Sequence, residues 1–222
     1  MTPLPWSHSS LEKFVNCPRQ FYHVKVAKDV KDSMGEAAIW GDRVHKAFEE
    51  YLLHGGEKPL AKEFSMYRDY LDRLIAGAGR MYVEQQYALD IRLRPCNWDD
   101  AWVRGITDVL HIHGHTARAL DHKTGKTKPD SRQLVLMALL VFYHYPEVLQ
   151  CKTGFMWLKT GEKTVRTYKR EDIPDMWGKF LADLQQYKQA FSTDTWQARQ
   201  SGLCNGWCPV EKCEHWKQGK RK

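Results

Sequence analysis

RGITDVLHIHGHTARALDHKTG, Arg104 to Gly125, is the stretch on which the fold of this chain turns. Two runs that read as strands, Trp102 to Ile112 and Thr116 to His122, flank a two-residue turn at Gly114-His115, which is the pattern of a β-hairpin. Glycine in the first position of a type II′ turn gives the two strands the twist that hairpins favour. That turn pairs His113 with Thr116 and Ile112 with Ala117, and continued outward it sets Asp108 opposite Asp121. Directly opposed residues share a face, with Cβ atoms about 4.5–5.5 Å apart. Side chains alternate along a strand, so Lys123 joins the two acids on that face.

Outward from the hairpin, the periodicity alternates between helix and strand. Glu36 to Leu53 carries Ile39, Trp40, Val44, Ala47, Phe48, Tyr51 and Leu52 at helical spacing, and Gly55-Gly56 stops it. His45 lies on this helix. Leu60 to Gln86 reads as a second long helix, weakened at Gly77 and Gly79. Ser7 to Phe14 reads as a short helix started by Ser9 and Glu12 and ended near Cys17-Pro18. Strands are expected at Tyr87 to Leu93, Trp102 to Ile112, Thr116 to His122, Thr153 to Leu158 and Thr164 to Tyr168. A helix over Ser131 to Tyr143 separates the third strand from the fourth. Asp172 to Ala198 is a last helix, followed by a cysteine-rich loop from Gly202 to His215. This order implies an α/β fold with a central mixed β-sheet flanked by helices. A single domain over residues 1–222 is expected, with a helical part at 1–86, a sheet core at 87–170, and a C-terminal helix and cysteine-rich segment at 171–222.

Nine Trp, ten Tyr and eight Phe exclude a disordered chain. The net charge of +7 favours polyanionic partners through Coulomb attraction and counterion release. Arg92, Arg94, Arg104, Arg118, Lys123, Lys126 and Lys128 surround the centre of the sequence, while Lys217, Lys220, Arg221 and Lys222 read as a solvated tail. Met1 to Ser10 has no apolar signal core, and the longest apolar run, Leu134 to Tyr143, is about half a membrane span. A cytoplasmic protein, of a bacterial cell or a phage-infected host, is therefore expected. In such a reducing compartment cysteines are free thiols or metal ligands rather than disulfides. Cys204, Cys208 and Cys213 fall close together in LCNGWCPVEKC, with Cys17 far upstream. Four thiolates suit an iron–sulfur cluster or zinc, and unmetallated thiols remain open. Cys96 and Cys151 read as ordinary thiols.

Two carboxylates facing each other repel, and a bound cation relieves the conflict. Close carboxylates with room for water are typical ligands of Mg²⁺ or Mn²⁺. Such an ion polarises a phosphate oxygen and acidifies a water, so the chemistry implied is phosphodiester hydrolysis. Two solvated aspartates in a slipped hairpin would carry none of this, and spacing alone leaves both readings open. His111, His113 and His115 scatter over both strand faces and the turn, and are read as non-ligands.

Four segments, in order, resemble the RecB-like branch of the PD-(D/E)XK nuclease superfamily, a group that includes CRISPR adaptation nucleases and many phage exonucleases. SHSSLEKFVNCPRQF (Ser7 to Phe21) is similar to its opening helix, and GDRVHKAFEEYL (Gly41 to Leu52) to the helix presenting a metal-binding histidine. RGITDV (Arg104 to Val109) and LDHKTG (Leu120 to Gly125) are similar to the two strands that carry the acids and the lysine. The resemblance implies a restriction-endonuclease-like core. It implies His45, Asp108 and Asp121 as metal ligands, with the backbone carbonyl of His122 as a further one, and Lys123 as the group that positions the attacking water. Gln133 matches the start of the motif on the next helix and is implied as a catalytic-site residue. Four residues on, where the family usually has Tyr, this chain has Met137. The resemblance also implies a [4Fe–4S] cluster on Cys17, Cys204, Cys208 and Cys213, although three then four residues separate the last three cysteines where the family usually has two then five.

The function so implied is a Mg²⁺- or Mn²⁺-dependent deoxyribonuclease, an exonuclease more than an endonuclease, in DNA repair, recombination or phage DNA processing. Its partner would be DNA, at ends or single strands, held mostly by backbone phosphates. Trp98, Trp102 and Trp157 are either core residues or stacking platforms for unpaired bases. The competing reading is a catalytically inactive nuclease fold that binds DNA or protein. A third is a small cysteine-rich metal protein with an incidental acidic hairpin.

Overall fold

A computed structural model describes residues 4–32, 35–127 and 132–219. Ser131, expected to open a helix, and the basic residues Lys128, Lys220, Arg221 and Lys222 lie outside those residues. The chain forms two compact units, Met34–Met176 and a second made of Met1–Ser33 with Trp177–Lys222.

The larger unit is built on a five-stranded mixed sheet in the order β1 (Arg80–Leu89), β2 (Val103–His113), β3 (Thr116–Lys123), β4 (Gln150–Trp157) and β5 (Glu162–Lys169). All neighbours are antiparallel except β3 and β4. Parallel neighbours need a long crossover, and helix α5 (Arg132–His144) supplies it. Leu134 through Phe142 of α5 are all buried, so this helix is apolar on every side and packs as core. Helices α3 (Glu36–Leu53) and α4 (Arg68–Ile75) form a further cluster with the sheet, in which Val44, Phe48, Tyr51, Leu52, Leu71 and Val109 are buried. The α/β fold with a mixed sheet flanked by helices is the one the sequence implies. No helix among the described residues is long and apolar enough to cross a membrane.

The hairpin has the expected turn and register. Gly114 takes φ +56°, and His113 pairs with Thr116, Ile112 with Ala117 and Val109 with Leu120. The long helix expected over Leu60 to Gln86 does not form. A 3-10 turn (Lys62–Tyr67) and the two-turn α4 occupy its start, and β1 begins at Arg80. Gly79 marks the change. Its φ is +95°, and a Cβ placed there would lie 2.2 Å from the carbonyl oxygen of Ile112. The backbone thus enters the sheet edge-on at a position only glycine fills. Gly79→Ala is expected to destabilise the protein by at least about 2 kcal/mol in urea unfolding. Gly125→Ala, whose Cβ would meet nothing within 4 Å, is expected to stay within about 0.5 kcal/mol of the parent.

In the smaller unit, helix α1 (His8–Asn16) starts two residues earlier than Ser9 and Glu12 suggest. Ser7 is its N-cap, and Ser10 completes the reciprocal capping box. Helix α2 (Pro18–Phe21) follows, and helix α6 (Ile173–Thr193) belongs to this unit from Trp177 onward. Phe14, Phe21, Tyr187, Phe191 and Trp196 pack mostly edge to face, with Phe21 and Trp196 stacked at 6.1 Å.

Candidate metal centre

The pairing expected to continue through Asp108 stops one step short of it. Pairing of β2 with β3 ends at Val109–Leu120. Beyond it, Asp108 Oδ2 accepts the backbone N–H of His122 at 2.5 Å, so the carboxylate takes the place of a ladder partner. Asp108 and Asp121 are both buried. His45, one turn along α3 from Gly41, brings Nδ1 to 3.2 Å from Asp108 Oδ1. Glu84 completes this corner. His45, Glu84 and Asp108 each offer one ligand atom, and these atoms all lie within 4.8 Å of one another.

Glu84 was not singled out from the sequence, because it fell within the helix expected over Leu60 to Gln86. It stands on β1 with φ +48°, a left-handed conformation that a non-glycine residue adopts only where its surroundings enforce it. The run MYVEQQYAL, apolar and aromatic around one acid, was the available signal.

Asp121, Lys123 and Gln133 form the other half of the site. Gln133, in the first turn of α5, donates Nε2–H to Asp121 Oδ1 at 2.8 Å and accepts Lys123 Nζ–H on Oε1 at 2.9 Å. Lys123 Nζ is 2.7 Å from Asp121 Oδ2 and 4.8 Å from the Phe155 ring centre. That approach to Oδ2 is poorly directed, and the buried oxygen has no well-aligned donor. A buried carboxylate oxygen left in this condition fits a divalent cation, although Asp121 is not one of the three residues whose ligand atoms converge within 4.8 Å.

The charges respond to this crowding. Burial pushes the Asp121 carboxyl up, and the nearby Asp108 charge adds to it. Burial acts on Asp108 in the same direction, but hydrogen bonds to His122 and His45 outweigh it and hold this carboxyl below the usual range. The bond to Asp108 raises His45 to about 9, and burial lifts Glu84 to about 7. Without an ion the corner retains protons that a cation would displace.

The sequence matches the family model of the PD-(D/E)XK nuclease superfamily over residues 5–213. The chain belongs to this superfamily. No curated protein matches it significantly in sequence. Among solved structures, that of SSO0001 is 12% identical, with a TM-score of 0.52, covering 95% of this chain and 85% of the other. A "putative exonuclease" from Eubacterium rectale is 12% identical, with a TM-score of 0.54, covering 95% of this chain and 86% of the other. At such identity these two likenesses concern the fold.

As a PD-(D/E)XK chain it has departures of its own. Met137, four residues after Gln133, is buried in the core and presents no polar group. His111 Nε2 bonds the carbonyl of Leu74, and His115 Nδ1 bonds that of Glu147, so both imidazoles serve local structure. Trp157 is buried, and the Arg104 guanidinium lies 4.7 Å from the Trp98 ring centre. The apolar stripe of α3 is buried only from Val44 onward, leaving Ile39 and Trp40 exposed at 51% and 39%. In the smaller unit, Cys17, Cys204, Cys208 and Cys213 line one small cavity. Burial raises the Cys208 thiol, and the other three cysteines raise it further.

Proposed function

We propose that this chain is a divalent-metal-dependent deoxyribonuclease of the RecB-like branch, acting as an exonuclease at DNA ends or on single strands. DNA repair, recombination or phage DNA processing is the setting implied by the resemblance of its four motifs. The observation that carries this reading is the convergence of His45, Glu84 and Asp108 on one small volume, with Asp121, Lys123 and Gln133 as a second polar group of the same unit.

His45, Asp108 and Asp121, joined by Glu84 and the His122 carbonyl, would hold Mg²⁺ or Mn²⁺. Such an ion supplies a Lewis acid for the scissile phosphate and lowers the pKa of water. Lys123 orients the attacking water and balances charge at the phosphate, and Gln133 fixes the ammonium by bonding it while tethering Asp121. Trp40 and Ile39, exposed on the helix that carries His45, give an unpaired base an apolar surface, and the Arg43 guanidinium lies 5.6 Å from the Trp40 ring centre. These features favour substrates with unpaired ends.

Incubating the protein with end-labelled single- and double-stranded DNA, with and without Mg²⁺ or Mn²⁺, tests the reading. Metal-dependent shortening from an end supports it. DNA binding without cleavage under every condition would instead establish the inactive binding module.

The cysteine cavity supports a [4Fe–4S] cluster with a structural role, joining segments near the two ends of the sequence. Backbone N–H groups of Arg199 and Ser201 point at the sulfurs of Cys17 and Cys204 at 3.5 Å, the type of bond that stabilises cluster thiolates. Tetrahedral zinc would bring its thiolates to about 3.8 Å from one another. Among the described residues, no three of these sulfurs come within 4.8 Å of one another. Anaerobically purified protein is expected to show a broad brown absorbance that Cys208→Ser removes and Cys96→Ser leaves intact. A colourless protein, with zinc or no metal, would remove the cluster from this proposal.

A further inference from the structure

The side chain of His122 has no part in the ligand set above, where only its backbone carbonyl appears. It is 1% exposed, a depth at which an imidazole must satisfy both nitrogens. Tyr70, from α4, places its hydroxyl 2.9 Å from Nε2. Nδ1 lies 3.0 Å from Asp108 Oδ2, off the ideal hydrogen-bond direction. The rings of Phe48 and His45 close the remaining sides at 5.1 and 6.2 Å between centres. Where the Tyr70 hydroxyl donates to Nε2, the imidazole proton lies on Nδ1 and faces Asp108.

The two oxygens of Asp108 therefore stand in different surroundings. Oδ2 accepts the backbone N–H of His122 and lies 3.0 Å from its Nδ1, whereas Oδ1 turns toward His45. We infer that the Tyr70–His122 pair is a positioning device that pins Asp108 Oδ2 and so presents Oδ1 as a one-oxygen ligand to the divalent ion. The inference rests on the metal-centre reading given above. Groups that orient a ligand from behind commonly change metal affinity by about 10–100-fold when removed.

Asparagine and glutamine separate this role from mere packing. The amide nitrogen of Asn overlays Nδ1 of histidine, whereas that of Gln overlays Nε2. Mn²⁺ binding is measured by the electron paramagnetic resonance of free ion, without DNA, for the parent, His122→Asn and His122→Gln, alongside urea unfolding. The expected result is a Kd for His122→Asn within about threefold of the parent and a Kd for His122→Gln weakened about tenfold or more. Equal Kd values in both variants, whether matching the parent or weakened together with stability, would overturn the inference. If either variant fails to fold, Tyr70→Phe, which removes one oxygen, is expected to weaken Mn²⁺ binding, and an unchanged Kd overturns the inference as well. A parent protein that binds no Mn²⁺ would sink the metal-centre reading itself, an outcome distinct from the others.

Discussion

Replacing Asp121 with Asn is expected to lower DNA hydrolysis by at least about 10³-fold while making the metal-free protein more stable. The two effects have one cause. Folding raises the Asp121 carboxyl, chiefly through burial and then through Asp108, even with Lys123 beside it. A group whose folded state prefers the neutral form costs stability whenever it is ionised. Asparagine removes that cost, and its carbonyl still accepts the bond from Gln133 Nε2. The same substitution deletes the charge that a cation and the Lys123 ammonium both need. Mg²⁺ or Mn²⁺ should then lose most of its power to raise the unfolding temperature, since only ions bound to the native state stabilise it. Lys123→Ala is expected to lower hydrolysis by about 10²–10³-fold but to keep the thermal shift with metal, because a water-positioning group is not a ligand. Single-turnover cleavage, thermal unfolding with and without metal, and DNA binding in Ca²⁺ read all three properties. Undiminished cleavage by Asp121→Asn would dismantle the proposed site.

The parts of this site that were legible in the sequence are those set by local chemistry. A glycine turn fixes a register, and the register carried the pairing from His113–Thr116 to Val109–Leu120. Helix α3 runs over Glu36–Leu53, the bounds read from its periodicity. What was hidden depends on contacts between distant segments. The parting of β2 and β3 at Asp108 arises because a side chain there captures a backbone N–H across the gap, which alternation cannot encode. Glu84 was hidden because a strand with few exposed-face markers resembles a helix over a short window, and because its positive φ is imposed by its surroundings. Ile39 and Trp40 follow the apolar stripe of α3 yet remain exposed, since a stripe states which residues could be buried and not how far the covering surface extends. Gln133 was reached only through the resemblance to known nucleases, because its bridge from Asp121 to Lys123 requires α5 to fold back on β3.

Divalent-ion affinity is expected to climb steeply with pH, and the direction follows from which groups hold protons. His45 is raised from 6.5 to about 9 by Asp108, so its contribution to stability is complete below about 6.5 and is lost as pH rises through 9. Glu84 is raised from 4.5 to about 7, so ionising it costs stability across that interval as pH rises. Asp108, held below its ordinary value, acts in the opposite sense and contributes stability above 3.8 that is lost at lower pH. The metal-free protein should therefore lose stability from mildly acidic solution toward pH 9. A cation requires His45 neutral and Glu84 ionised, and its binding expels the protons that folding retained. Between pH 8 and 9 the Mn²⁺ affinity should rise by somewhat less than about tenfold per unit, the limit for release of one proton. The discount reflects the shrinking protonated fraction of His45 as pH nears 9. Below pH 8 the release from Glu84 adds to the slope, and Glu84→Gln should remove that added part. Calorimetric titration with Mn²⁺ in two buffers of different ionisation enthalpy counts the protons directly. Release of close to one proton at pH 8 is the expected result, whereas an affinity flat from pH 6 to 9 would show that His45 and Glu84 do not face the ion.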